Sequence, residues 1–255
     1  MYPPSYIGMT GFSTREQVEA VLAHRSKSAK HYLMIGVLVS HKSLHGQPLD
    51  QPKRYPPREV LGDIFTDGKQ LLNLLHFNTN APEQLLDDML LAQDLAGIFC
   101  HGFQLNMMWP DIKILQGYRK FCPTQVLVLQ CGKRALEQAG SPQALADRVG
   151  KYEGLIDYVL IDGSGGLGLP FDEILVKEYF SELSKLSGIG FGVAGGLEPG
   201  SLYRLHPVWR KFSNFSIDAE SGLRINDKFS IHIASQYLSI AEEIFKQRTL
   251  VHASE

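Results

Sequence analysis

The sequence has no excess of positive charge, few cysteines and no long apolar run, and each shortage removes a class of function. Its 25 Lys and Arg face 27 Asp and Glu, for a formal net charge of −2, and no basic run exceeds two residues (Lys53-Arg54, Arg119-Lys120, Lys133-Arg134, Arg210-Lys211). A binder of duplex DNA or another polyanion needs a basic face that displaces counterions, so nucleic acid is not an expected partner. The longest apolar stretch, Tyr32 to Val39, has eight residues, against the roughly 20 that a membrane-spanning helix requires. The opening residues from Met1 to Tyr6 lack the charged and apolar regions of a signal peptide. The three cysteines (Cys100, Cys122, Cys131) show no C-x-x-C spacing and cannot all pair, which suits free thiols better than a disulfide or zinc framework. A soluble, cytoplasmic protein without a membrane partner is expected.

What is present is a regular beat. The chain has 255 residues, 44% of them hydrophobic, enough for two small domains or for one barrel of about 250 residues. Eight short apolar runs rich in β-branched or aromatic residues begin at Tyr6, Leu33, Leu71, Gly97, Gln125, Asp157, Gly190 and Phe215. They end at Met9, Val39, Phe77, Cys100, Cys131, Ile161, Ala194 and Ile217, so successive starts lie 27, 38, 26, 28, 32, 33 and 25 residues apart. A period near 30 fits a strand, a helix and two loops. The intervals carry helix signals: Ser13 three residues before Glu16, Asn80 before Pro82 and Glu83, Ser141 before Pro142, and Asp227 before a stripe of Ile233, Tyr237, Ile240 and Ile244. Eight such units without a break in composition predict a single α/β domain, a (β/α)8 TIM barrel with eight parallel strands, over residues 1–255. The alternative is an open doubly wound sheet, suggested by G-x-G-x-x-G at Gly163 to Gly168. The acid expected about 20 residues further on would be Glu182, inside a helical stripe rather than at a strand end, which disfavours that fold.

In such a barrel the chemistry sits at the C-terminal ends of the strands. These positions are Thr10-Gly11, the segment after Val39, His76 to Asn78, His101-Gly102, Gln130 to Gly132, Asp162 to Gly168, Ala194 to Leu197 and Asp218 to Gly222. Their glycines let backbone N–H groups approach an anion, so a small phosphorylated or carboxylated ligand is expected. The longest interval holds Ser40 to Arg58, with four prolines, His41, His45 and Arg54. A loop of this length is either a lid or binding segment or a solvated surface loop. His24, His31, His206, His232 and His252 fall on helices or chain ends and are expected to be solvated.

Read in order, the strand ends resemble those of phosphoribosylanthranilate isomerase, a ribulose-phosphate-binding barrel. Met9 to Gln17 is similar to that family's K-I-C-G-x-T-R-x-E-D, and Lys53-Arg54-Tyr55 to its S-x-R-Y. Phe99-Cys100-His101-Gly102 is similar to Q-L-H-G, and Leu160 to Asp172 to L-L-D-x-x-x-G-G-x-G-x-x-F-D. Ala194 to Pro199 repeats A-G-G-L-x-P, and Asp218 to Arg224 resembles D-x-S-S-G-V-E. The resemblance implies an Amadori rearrangement, in which a general acid protonates the ribose ring oxygen and a general base removes the C2′ proton. It places Asp162 as the acid, which burial at a strand end would keep protonated; capping of the glycine loop is the other reading. The family's cysteine base matches Thr10, whose hydroxyl does not ionise near neutrality. His76, His101 and Glu220 are candidates to replace it, and the two histidines with the carboxylates also allow a metal-dependent lyase or hydrolase. Otherwise no metal or cofactor is implied. The resemblance further places Gly166, Gly195, Gly196, Ser221 and Gly222 around a phosphate and Arg54 on a ligand carboxylate. Glu220 beside that phosphate would repel it by about 1 kcal/mol or more, with Arg224 as an offset. The leading expectation is therefore an isomerase-like enzyme acting on a small sugar phosphate or related metabolite, with Asp162 in acid/base work. A non-catalytic ligand-binding or regulatory barrel is the alternative.

Overall fold

Alternate residues of a strand point to opposite faces, and here the two faces bury two separate apolar groups. The computed structural model describes residues 3–163 and 173–251. Its strands β1 (Tyr6–Thr10), β2 (Tyr32–Ser40), β3 (Leu71–Asn78), β4 (Gly102–Leu105), β5 (Val126–Gly132), β6 (Tyr158–Asp162), β7 (Gly190–Ala194) and β8 (Ser216–Ala219) are all parallel. They pair in sequence order, and β8 returns to β1 to close the barrel. The intervals carry helices α1 (Arg15–Leu22), α2 (His41–Leu44), α3 (Leu61–Ile64), α4 (Leu85–Ala96), α5 (Ile112–Phe121), α6 (Lys133–Ala139), α7 (Pro142–Gly150), α8 (Glu173–Leu183), α9 (His206–Trp209) and α10 (Ile231–Val251). No described helix is long and apolar enough to cross a membrane. All three cysteines are free.

The outward faces, such as Ile7 and Met9 on β1 or Phe103 and Leu105 on β4, join the helices in one large core. The inward faces hold a smaller cluster of Tyr6, Met34, Leu72, Leu74, Val128, Tyr158, Leu160 and Ala194. Each fully buried aliphatic side chain contributes about 1.5–3 kcal/mol, so the outer shell is ample to hold the barrel closed. The interior near the strand ends is left free to be polar.

Several local expectations shift. The run Gly97 to Cys100 is not a strand: Gly97 takes φ 74° as the C-cap of α4, and Cys100 N donates to Gly97 O in the turn that follows. The fourth strand starts at Gly102 instead. Helix α1 is capped by Thr14 with Gln17, one residue later than Ser13 with Glu16, because the Gln17 side-chain oxygen accepts from both the Ser13 and Thr14 amides. Asp227 does not start α10. With Asn226 it forms the positive-φ turn of a hairpin, β9 (Arg224–Ile225) and β10 (Lys228–Phe229), and Ser230 Oγ accepts from Ile233 N at the helix start. Asn80 gives no cap, since a 3-10 turn, Pro82–Gln84, leads into α4. Ser141 caps α7 ahead of Pro142 as expected. His31 is buried against the Phe245 ring rather than solvated.

Candidate active site

Thr10, His76, Gln104, Gln130, Asp162 and Asp218 face inward at or near the C-terminal ends of their strands, and all six are buried. Two glycines make room for them. A Cβ on Gly36 of β2 would lie 2.3 Å from Thr10 Oγ1, and one on Gly8 of β1 would lie 2.8 Å from Asp218 Oδ1. The side chains of β1 and β8 therefore reach inward across positions where their neighbours have none.

Five of the six form a connected chain of hydrogen bonds, with His76 beside it. Thr10 Oγ1 donates to the Asp218 carboxylate, with oxygens at 3.1 and 3.2 Å. Gln104 Nε2 donates to Asp218 Oδ2 (2.9 Å) and to Gln130 Oε1 (3.0 Å), and Gln130 Nε2 donates to Asp162 Oδ2 (2.9 Å). Asp162 and Asp218 both pair with Ala194 in the strand register, so they stand level, on either side of β7. Two strand spacings put their backbones about 10 Å apart, and the two glutamines join them around the interior.

Burial pushes the Asp218 carboxyl up to about 7, with the negative charges of Glu220 and Asp162 adding to the effect while bonds from Gln104 and Thr10 oppose it. It is thus poised to exchange a proton near neutrality. His76 lies beside Gln104, with Nδ1 3.3 Å from Gln104 Nε2, and burial lowers its pKa, so it is a neutral imidazole at neutral pH. Its Nε2 is buried and has no hydrogen-bond partner among the described residues, which leaves it available to a ligand.

Above this layer the mouth is lined by Arg54, Gly195, Gly196, Glu220 and Ser221 together with His76, Gln130, Asp162, Ala194 and Asp218. The free volume is only about 50 Å³. Arg54 is one of the side chains that occupy the mouth. The segment after β2 carries it past β1 to the eighth-strand loop, where its guanidinium contacts Asp227 Oδ1 at 2.7 and 3.1 Å and Glu220 Oε1 at 3.5 Å. Arg224 Nη2 stands 4.0 Å from the same Glu220 oxygen. The Arg224 side chain is only 4% exposed, and its Nε and Nη2 have no hydrogen-bond partner among the described residues. Gly11, with φ 119°, leaves space for that guanidinium, since a Cβ there would lie within 2.2 Å of Nη2. A larger hollow of about 940 Å³ lies against α10 and is lined by His24, Pro199, Ile231 and His232. It has none of the connected acids at the strand ends, where barrel chemistry is placed.

The structure thus gathers Thr10, His76, Asp162, Glu220, Arg54, Gly195, Gly196 and Ser221 at one mouth. Gly222 is adjacent but serves packing, because a Cβ there would lie 2.3 Å from the Leu197 carbonyl oxygen. Gly166 lies outside the described residues. His101 is misplaced by the sequence reading: it precedes β4, at the opposite end of the barrel, where its Nδ1 accepts from Asn73 N (2.9 Å) and its backbone pairs with Asn73 and Val126. It does not join His76, so a metal centre built on those two histidines is not assembled. The residues to which the sequence alone gave no role are Asp218, Gln104 and Gln130, although the first and third were placed at strand ends. A signal existed for the second, since Gln104-Leu105 supplies the Q-L of Q-L-H-G inside the true fourth strand.

The closed ring of eight parallel strands with helices in the intervals defines a (β/α)8 TIM barrel. Among solved structures the chain is similar to phosphoribosylanthranilate isomerase from Thermus thermophilus, with 14% identity, TM-score 0.64 and coverage of 94% of this chain and 99% of that one. It is also similar to the Thermotoga maritima enzyme of that name, at 17% identity, TM-score 0.61 and coverage of 94% and 100%. The tryptophan synthase α subunit from Legionella pneumophila follows, at 13%, TM-score 0.58 and coverage of 95% and 92%. No protein-family model and no curated protein sequence matches the chain.

Proposed function

We propose that this barrel is an acid–base enzyme that isomerises a small sugar phosphate or related polar metabolite, with Asp218 and Asp162 as its proton-transfer pair. The observation that carries the reading is Asp218, a buried carboxyl at about 7 that accepts from Thr10, the residue in place of the resembling family's cysteine. A threonine hydroxyl cannot take a proton at neutral pH, but it can orient a carboxylate that does. Asp218 is the base that removes the proton next to the anomeric carbon. Asp162, level with it across β7, is the acid that delivers a proton to the ring oxygen as the ring opens. Enol formation and ring opening then balance one proton taken against one given. Neutral His76 binds a hydroxyl or carbonyl through Nε2. Gly195, Gly196 and Ser221 offer backbone N–H groups to an anionic end of the ligand, and Arg54 and Arg224 supply charge that no global positive field provides.

The test is turnover of phosphoribosylanthranilate and of a panel of aldose phosphates by the wild type and by Asp218→Asn and Asp162→Asn. Loss of a positioned acid or base costs roughly 10²–10⁴-fold, so each variant is expected to fall by that factor on the active substrate. An Asp218→Asn protein that keeps the wild-type rate removes Asp218 from the chemistry. The 50 Å³ mouth under Arg54 favours one competing reading, a barrel that holds an anion without converting it. Binding of the same compounds without any turnover would establish that reading instead.

A further inference from the structure

Away from the mouth, two histidines and one buried acid converge between α2 and α4. Ser40 caps the single turn of α2, accepting from Ser43 N while Ser43 Oγ accepts from Ser40 N. That turn places His41 and His45 on one face, four residues apart. Opposite them, Asp88 sits in the first turn of α4 with a side chain only 2% exposed. His41 Nδ1 lies 2.8 Å from Asp88 Oδ2 and His45 Nε2 lies 2.8 Å from Oδ1. One ligand atom from each of the three residues falls within 4.8 Å of the other two, and the imidazole rings stand 4.6 Å apart. None of the three residues lines the barrel mouth.

We infer that His41, His45 and Asp88 form a binding site for one divalent transition-metal cation of the zinc class. A buried carboxylate must be compensated, and among the described residues no Lys or Arg lies within ion-pair distance of Asp88. One protonated imidazole would supply the charge while the other donates to the second oxygen, a hydrogen-bonded tie that is the alternative to a metal. A divalent cation uses all three lone pairs at once. Two imidazoles and a carboxylate form a borderline donor set that suits zinc. Ligand atoms around a tetrahedral zinc at about 2.0–2.1 Å stand about 3.3 Å apart, within the 4.8 Å that already encloses one donor atom from each residue, so small side-chain shifts suffice when the ion enters. His45 is 37% exposed, which leaves an open side for the ion to arrive and for water as fourth ligand. The position indicates a structural clip. Helix α2 begins the segment that carries Arg54 to the mouth, and the ion would fasten the start of that segment to α4.

The experiment is zinc uptake by the chelator-stripped, full-length protein, read by equilibrium dialysis with metal analysis and by the visible spectrum of the cobalt-loaded form. One zinc per chain and a four-coordinate cobalt spectrum are expected. His45→Ala and Asp88→Asn should weaken uptake by more than about 100-fold, beyond the cost of losing an outer-shell partner. His24→Ala, at an exposed histidine elsewhere, should change nothing. If Asp88→Asn does not fold, His45→Gln at the exposed edge decides alone. Absence of stoichiometric uptake by the wild type, or equal uptake by the wild type and a folded His45 variant, overturns the site and leaves a hydrogen-bonded tie.

Discussion

The lower and upper halves of the barrel interior are built from the same strands and obey opposite rules. Leu74, Val128 and Leu160 face inward in the apolar lower half, and two residues on, at the same face, stand His76, Gln130 and Asp162. Below, the interior is filled by aliphatic side chains and by Tyr6 against Tyr158 at 5.2 Å, edge to face. Above, Thr10, His76, Gln104, Gln130, Asp162 and Asp218 put buried polar groups into the same interior, with Ala194 between the two acids. The lower half stabilises the fold and the upper half draws on that stability, since ionising Asp218 inside the barrel is unfavourable.

Substituting in the lower half should therefore cost most. Leu160 is fully buried, and Leu160→Ala is expected to lose about 2–5 kcal/mol through lost transfer and an unfilled cavity, read from urea unfolding. A smaller loss than that of an upper-layer substitution would break the division.

The next effect is a pH dependence that belongs to the upper half. Because burial raises Asp218 to about 7, the folded chain keeps this proton while the unfolded chain, titrating near 3.9, gives it up. The stability associated with the protonated group is complete below about pH 4 and is lost as pH rises to about 7, at up to about 1.4 kcal/mol per unit. Unfolding of the wild type and of Asp218→Asn across that range should differ by this slope. Identical curves would show that Asp218 does not hold its proton.

A third probe acts through shape. A methyl on Gly36 would meet Thr10 Oγ1 at 2.3 Å and the Thr10 backbone Cα at 2.9 Å, and backbone cannot swing aside as a side-chain tip can. Gly36→Ala is expected to cost about 1–3 kcal/mol. It should also raise the Asp218 titration further, because the bond from Thr10 lowers it. A destabilised variant with an unmoved Asp218 would separate the glycine's packing role from the site.

This division also explains what could be read from the amino acids. The lower half and the outer shell are apolar with strand periodicity, so the eightfold beat and closure were legible, while Asp162 and Thr10 were singled out by the family resemblance and Glu220 by its place at the barrel mouth. The fourth strand was not legible, because Gln104 interrupts its four residues with a functional amide while Gly-Ile-Phe-Cys just upstream mimics a strand. That run is the end of a helix and a turn, and reading it as a strand sent His101 to the wrong end of the barrel. Such conflicts between local pattern and fold gather where polar groups are buried for a purpose. The joining of Asp218 to Asp162 through Gln104 and Gln130 depends on two strand registers and a bond across the interior from β4 to β8, which no spacing along the chain displays.

The smallest effect belongs to the rim, above both halves. Arg54 is held by Asp227 and Glu220, but pairs this close to solvent contribute little to stability, so Arg54→Ala should leave the urea midpoint almost unmoved. Its signature is electrostatic. The hydrogen bond and charge of Arg54 hold the Asp227 carboxyl below the usual range, and removing the guanidinium should let it titrate higher, as followed by carboxyl NMR. The same substitution uncovers the mouth, so anions such as inorganic phosphate should reach the interior more readily while Asp218 keeps its elevated titration, whose causes do not include Arg54. If the Asp227 titration does not move, Arg54 is not held to the eighth-strand loop in solution, and the mouth is already open to ligand without its removal.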